Sequence, residues 1–515
     1  MSTPGAPSTD PPSTGPSVDL RAIVKAYDVR GLVPEQWDER TARALGAAVA
    51  DVLVLEAAHP AGGADRAAPR GRRLVVGHDM RPSSPGLVDA FAAGAQDRGV
   101  DVVLVGLCST DGLYYASGAL DAPGAMFTAS HNPAQYNGVK LCRAGARPVS
   151  LDTGLAAVRD HAAASLDAGG PEVVDERGSR TEQDVLRGYG EHLRSLVDLS
   201  GSRPLTVVVD AGNGMAGLTV PAVLGEAAGL PASPVDVRPL YFELDGTFPN
   251  HEANPLEPAN LVDLQRAVVE QGADLGLAFD GDADRCFVVD ERGDAVSPSA
   301  VTALVALREI ARERAEDPGA EVVVIHNLIT SRVVPELVAG AGATPVRTRV
   351  GHSYIKEEMA RTGAVFGGEH SAHYYFRAFW GADTGLLAAM HVLAACGEDE
   401  RPLSALVADY APYAASGEVN SVVDDVPAAV ERVRQAYVAR GAGVDDLDGM
   451  TVTAPVGSGD EEQEDPARGP GGRAWWFNLR ASNTEPLLRL NVEGVDAATT
   501  AAVRDEVLAL VRADA

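Results

Sequence analysis

A chain of 515 residues with 45% hydrophobic residues and a formal net charge of −30 is too long for one core and reads as a globular protein of three or four units. The acidic excess excludes general binding to nucleic acid or to anionic membranes, which both ask for a basic surface. Anions must then be met by local arginines, and Arg30, Arg285 and Arg480 are the candidates.

Residues 1–18 are mostly Ser, Thr, Pro and Gly without an apolar segment, so they read as a disordered tail and not a signal peptide. No apolar run is long enough to cross a membrane. Cys108, Cys142, Cys286 and Cys396 lie far apart without metal-type spacing, which predicts a reduced, cytoplasmic protein. After the tail, Arg30-Gly31 offers a cation beside a permissive backbone, and a helix is predicted from Asp38 to Leu55. A polar loop leads to a strand at Leu74–Gly77. His78 to Ser84 then caps a helix reaching Gln96, with Ser84 as N-cap before Pro85. With the strand Val102–Val105 and a short helix after Thr110, this alternation predicts a mostly parallel sheet covered by helices. Ligands gather at the carboxyl ends of such strands.

Thr128-Ala129-Ser130-His131-Asn132-Pro133 follows the strand-like Ala125-Met126-Phe127, and Asn-Pro favours a turn. Ser130 is thus expected on a loop at a strand end, with His131 and Lys140 close in sequence. The charged stretch from Ala162 to Arg180 reads as a linker, followed by a helix from Glu182 to Asp198. The strand Leu205–Val209 runs into Asp210-Ala-Gly-Asn-Gly-Met-Ala-Gly217, whose glycines are read as close-packing positions, since they match no phosphate-loop pattern.

A strand from Ala273 to Asp280 and another at Cys286–Asp290 flank Asp280, Asp282 and Asp284, three hard oxygen ligands aimed in one direction, as an Mg²⁺ or Ca²⁺ ion requires. A calcium loop is the rival, but Arg285 replaces the glycine it needs and a strand follows instead of a helix. From Ser297 the pattern is helix, strand Glu321–Ile325, helix, Gly351-His352-Ser353, strand Ala364–Phe366, then Glu369-His370-Ser371-Ala372-His373, a loop rich in sugar-type hydrogen-bonding groups. A zinc site on the two histidines lacks further ligands at suitable spacing. The end of the chain is more α+β in texture, with a polar insertion at 457–472 and a strand from Ala474 leading to Arg480, Ser482, Asn483 and Thr484, donors for a phosphate nest.

With these motifs in order, the chain from about Val24 onward resembles the α-D-phosphohexomutase family, closest to its phosphomannomutase/phosphoglucomutase branch. The resemblance implies four units around a central cleft: α/β domains over 19–165, 181–292 and 293–405 with mixed sheets, and an α+β domain over 415–515. It implies that Ser130 is the phosphorylated serine and that Asp280, Asp282 and Asp284 hold Mg²⁺ with it. Arg30 and Arg285 would steady phosphate, while Glu369, Ser371 and His373 read sugar hydroxyls. Arg480, Ser482, Asn483 and Thr484 would grip the distant phosphate. His131, Lys140 and His352 match positions near the reacting groups, and the acid/base among them stays open.

Two departures stand out: His370 and Ala372 where the family often has methionine and glycine, and His326-Asn327-Leu328-Ile329 where some bacterial members place a lysine. The implied reaction passes the phosphoryl group from Ser130 to a hexose monophosphate, giving a hexose 1,6-bisphosphate that turns over and returns its other phosphate. Mannose phosphates are the expected substrates, with glucose phosphates a possible second pair, in a monomer or homodimer that needs neither nucleic acid nor membrane. The alternatives are a phosphoglucosamine mutase, a metal-dependent sugar-phosphate phosphatase or bisphosphate synthase, and a non-catalytic binding protein.

Overall fold

A computed structural model describes residues 18–56, 71–454, 474–481 and 487–513. The expected tail to residue 17, the insertion 457–472 and Ser482, Asn483 and Thr484 lie outside the described residues.

Four sheets follow one another along the chain. The first contains β1 (Asp28–Leu32), β2 (Arg73–His78), β3 (Asp101–Leu107), β4 (Gly124–Phe127), β5 (Tyr136–Arg143), β6 (Arg147–Pro148) and β7 (Arg180–Glu182). Their order is β1-β5-β4-β2-β3-β7, with β6 on β5. The second contains β8 (Leu205–Asp210), β9 (Val235–Leu240), β10 (Leu275–Phe279), β11 (Cys286–Asp290) and β12 (Ala295–Val296), ordered β12-β11-β10-β8-β9. The third contains β13 (Val323–Asn327), β14 (Thr344–Thr348), β15 (Phe366–Gly368), β16 (Tyr374–Phe376) and β17 (Ala382–Asp383), ordered β14-β13-β15-β16-β17. The fourth, β18 (Ala414–Val422), β19 (Gly443–Asp445), β20 (Met450–Thr453), β21 (Trp475–Ala481) and β22 (Leu487–Gly494), is antiparallel throughout.

The first three sheets share one device. In each, a buried parallel strand turns directly into an antiparallel neighbour: β4 into β5, β10 into β11, β15 into β16. The three connections are the Ser130 loop, the aspartate loop and the Glu369–His373 loop. Strands such as Leu-Gly-Leu-Ala-Phe in β10 are buried at every position, as a sheet covered on both faces demands. One continuous core joins the second and third sheets, while the first and fourth have their own.

Some expectations are corrected. The expected linker from Ala162 begins inside the helix Ala156–Asp167 and ends in β7, which pairs with β3, so the first sheet extends to Glu182 and the next helix starts only at Leu186. Ser84 is not the N-cap; Ser83 takes that position and the buried Ser84 hydroxyl donates to Asp79 at 2.9 Å. The β10–β11 hairpin rules out the calcium loop, and Glu291 accepts from Ser404 instead. The glycines after β8 do serve close packing: a Cβ on Gly214 would meet the Gly281 carbonyl at 2.7 Å, and one on Gly217 the Phe242 carbonyl at 2.2 Å. Among the described residues no helix is long and apolar enough to cross a membrane.

Candidate active site

Ser130 stands at the turn from β4 to β5 with φ 50°, a left-handed backbone that a non-glycine residue adopts only where its surroundings hold it. Two groups do so. The Thr128 hydroxyl accepts from the Ser130 N–H at 2.9 Å. The buried Arg81 guanidinium donates to the carbonyls of Ser130 (2.9 Å), Asn132 (2.7 Å), Pro133 (2.9 Å) and Tyr136 (3.0 Å), and is itself paired with Asp79 at 3.1 Å. Arg81 can reach the loop because β2 and β4 are parallel neighbours, with His78 in register with Phe127, so both strands end at one edge.

The aspartate loop meets Ser130 from the second sheet. Ser130 Oγ donates to Asp280 Oδ2 at 2.8 Å, and Arg285 brackets the same carboxylate through Nε (3.0 Å) and a terminal nitrogen (2.8 Å). Lys140, on β5, bridges Asp282 at 2.7 Å and Asp284 at 2.6 Å. Thr110, at the start of the helix Thr110–Leu120, donates its hydroxyl to Asp282 at 2.6 Å and its N–H to the Asp282 carbonyl at 3.0 Å. One oxygen from each of the three aspartates lies within 4.8 Å of the others.

Three carboxylates thus face two cations, and Asp282 Oδ1 and Asp284 Oδ1 are buried without a hydrogen-bond donor. Burial pushes Asp280 up to about 8, Arg285 opposing and Asp284 and Asp282 adding. Burial also opposes ionisation of Asp284, but Lys140, with His373, draws it down to about 2. Against burial, those same carboxylates hold Lys140 well above the ordinary lysine range. A hard divalent cation fits this donor set, because it supplies the missing charge and the missing partner for two orphaned oxygens.

Arg285 also donates to His131 Nδ1 at 2.6 Å, which makes that nitrogen an acceptor and places the ring proton on Nε2. Burial, with Arg285 and Arg30 nearby, pushes His131 down to about 3. Arg30, on β1, ties to Asn132 of the serine loop (2.7 Å) and to Asp28. A cavity of about 170 Å³ opens beside Ser130, and Arg30, His131, Lys140, Asp284 and His373 reach its wall.

The third sheet supplies the far side. His373 and Arg285 form an isolated antiparallel backbone bridge, so the Glu369–His373 and aspartate loops are paired. His373 Nδ1 lies 3.0 Å from Ser371 Oγ, and Nε2 lies 3.8 Å from Asp284 Oδ1. Glu369 is buried and fixed by Tyr375 (2.7 Å), the Gly351 N–H (3.2 Å) and Asn327 (3.3 Å), so the last residue of β13 touches it directly. His370 points the other way, 3.3 Å from Ser299 on the wall of a separate cavity against the fourth sheet. The two histidines therefore share no metal.

Arg480 lies in β21 of the fourth sheet, just before the residues outside the description. His352 begins the helix His352–Thr362, its side chain outside what the structure describes. Sequence reasoning missed Asp79, Arg81 and Thr110, whose contacts hold the two loops. For Arg81 a signal existed, since a residue after β2 must neighbour the loop after β4 once the two strands are parallel partners.

Models of known families match the chain in four consecutive pieces. Phosphoglucomutase/phosphomannomutase alpha/beta/alpha domain I matches residues 21–165, domain II 187–293, domain III 298–413, and the C-terminal domain 418–510. A protein of Xanthomonas campestris described as phosphohexose mutases is 41% identical over 471 residues, 91% of this chain and 94% of the relative. The phosphomannomutase of Escherichia coli K12 is 38% identical over 472 residues, with the same coverage of each. A crystal structure of a phosphoglucomutase/phosphomannomutase family protein from Burkholderia thailandensis superposes with a TM-score of 0.77 at 29% identity, covering 96% of this chain and 98% of that one. The chain belongs to the phosphoglucomutase/phosphomannomutase family of isomerases.

Proposed function

We propose that this isomerase interconverts mannose 6-phosphate and mannose 1-phosphate, with glucose phosphates as a second pair, using Ser130 as the phosphoryl carrier. The observation that carries this reading is the buried Ser130 hydroxyl between Asp280 and Arg285 on a cavity that His373 of the Glu369–His373 loop also reaches. The phosphomannomutase relatives supply the sugar assignment.

Starting from phosphorylated Ser130, the P–O bond to the serine breaks as a P–O bond to the free sugar hydroxyl forms, and the hydroxyl proton is released. His131, with Nδ1 engaged by Arg285 and its proton affinity depressed, and Lys140, held as an ammonium by Asp282 and Asp284, are both poor acceptors, and the proton ends on the Ser130 oxygen as it leaves the phosphorus. Arg285 and Arg30 offset charge on the transferring group. Asp280, Asp282 and Asp284 would hold Mg²⁺, which would supply charge neutralisation at the phosphoryl oxygens. Glu369, Ser371 and His373 would orient the sugar in either direction, while Arg480, with Ser482, Asn483 and Thr484, would take the phosphate that is not reacting. The hexose 1,6-bisphosphate then reorients and phosphorylates Ser130 again from its other end.

Intact mass spectrometry after incubation with a hexose 1,6-bisphosphate tests the carrier: one added phosphoryl group that maps to Ser130 is expected, and its absence would reject the reading. Turnover compared on mannose, glucose and glucosamine phosphates tests the sugar. A clear preference for the glucosamine ester would reject mannose. Inorganic phosphate released in step with substrate loss would instead identify a phosphatase.

A further inference from the structure

We propose that the buried ion pair between Lys356 and Asp383 is a positioning pair for phosphoryl transfer, fixing a third carboxylate, beside Asp284 and Glu369, around His373. The inference rests on the reading of Ser130 as carrier and assigns to that reaction two residues that none of the motifs contains. Lys356 Nζ lies 2.5 Å from Asp383 Oδ1, and each side chain is 4% exposed. Both line the cavity that Ser130, Lys140 and His373 also reach. An oxygen of Asp383 comes within 4.8 Å of a ring nitrogen of His373 and of an oxygen of Asp284.

Both residues belong to the third unit, and a helix of the first unit packs against them. Lys356 belongs to the helix His352–Thr362 and stands 4.4 Å from the centre of the Tyr114 ring, which comes from the first unit. Asp383 is in register with Tyr375 in the β16–β17 ladder. Its neighbour Thr384 caps the helix Gly385–Glu398 and donates its hydroxyl to Asp111 at 2.6 Å. Asp111 and Tyr114 share the helix whose first residue, Thr110, holds Asp282. One helix of the first unit therefore ties the aspartate loop at its start to the Lys356–Asp383 pair one turn later.

Charge decides what the pair can be. Asp284, His373 and Asp383 have the spacing of metal ligands, but Lys356 occupies Asp383, and Asp284 already serves Lys140 and the aspartate loop. A second cation there would meet two ammonium groups. A purely structural role is equally poorly served, because a buried ion pair contributes little stability over an apolar pair of the same size. What the charges provide is a fixed anion behind His373, the residue whose backbone pairs with Arg285 across the loop interface. Without Lys356, Asp383 would stand uncompensated beside Asp284 and repel both it and a sugar phosphate.

The test uses the full-length enzyme with Mg²⁺, a hexose 1-phosphate and a trace of hexose 1,6-bisphosphate, and compares Lys356→Met, Asp383→Asn and the double variant. Each folded single variant is expected to lose about 100-fold in kcat with KM close to that of the parent, as for a displaced reacting group. The double variant should regain the thermal stability lost by either single variant without regaining kcat. A double variant that recovers both, or folded single variants with parental kcat, would overturn the proposal. If the single variants do not fold, the double variant decides alone. Labelling of Ser130 in the parent enzyme separates the two readings: no label there removes the carrier and this inference together, whereas label with unaffected variants removes the pair alone.

Discussion

A Cβ added to Gly281 would stand 2.4 Å from the Ser130 carbonyl oxygen. The serine loop and the aspartate loop are thus in backbone-to-backbone contact, and the short distance from Ser130 Oγ to Asp280 follows from that approach. The neighbouring Ala283 also has a positive φ of 60°, so both loops hold strained backbone where they meet.

Gly281→Ala should push the loops apart. Neither contacting atom belongs to a flexible side chain, so relief requires backbone shifts costing about 1–3 kcal/mol. Widening the Ser130–Asp280 distance by even part of an ångström should lower kcat by about 100-fold. Thermal unfolding and steady-state kinetics on the same preparation check both, and parental values in each would show that the loops have slack.

Arg81→Met removes the fork that fastens four carbonyls of the serine loop and leaves Asp79 buried without its cation. Breaking a buried pair from one side costs about 3–5 kcal/mol. Arg81→Lys keeps the charge but offers no planar fork, so it should recover part of the stability and little of the activity. Urea unfolding together with Ser130 labelling by the bisphosphate separates the two effects.

The aspartates make stability respond to the metal. A cation that binds only the folded state adds about 2.7 kcal/mol at a hundred times its Kd. Mg²⁺ should raise Tm in the parent, and Asp282→Asn or Asp284→Asn should abolish the rise, since each removes a carboxylate with an orphaned oxygen. A Tm indifferent to Mg²⁺ and chelator would remove the metal assignment.

What could be seen in the chain before its fold follows a physical division. Ser130 and the three aspartates were legible because their chemistry is packed into contiguous residues between recognisable strands. Arg81, 49 residues from Ser130, and Thr110, 172 residues from Asp282, were not, because sheet order and unit packing create those contacts. The strand β14 escaped notice because Thr-Pro-Val-Arg-Thr is an edge strand, where proline is tolerated and no apolar run is needed. The charge-rich stretch before Glu182 resembled a linker for the same reason, since β7 is an exposed edge. Ser84 looked like a cap because its neighbour is proline, and only the fold shows that the Asp79 carboxylate claims its hydroxyl.

Asp111 gives a prediction in pH. Its carboxylate is fully buried and accepts from Tyr189 at 2.7 Å, from Thr384 at 2.6 Å and from Ser109, joining three units. Burial pushes it up to about 6, against the three hydroxyls that favour the anion and an unperturbed value of 3.8. The folded state therefore holds the proton more tightly than the unfolded one. Its contribution to stability is fully present below pH 3.8, is lost as pH rises towards 6, and stays lost above that. The gap between the two values corresponds to about 3 kcal/mol. Asp111→Asn is neutral at every pH and keeps groups that can bond the same hydroxyls, so its stability lacks this decline. Urea unfolding of both proteins across the interval should show the parent's advantage over Asp111→Asn shrinking by about 3 kcal/mol as pH rises. A difference independent of pH would mean that Asp111 carries the same charge in the folded and unfolded chains, and that the junction of the three units does not exclude water as the structure indicates.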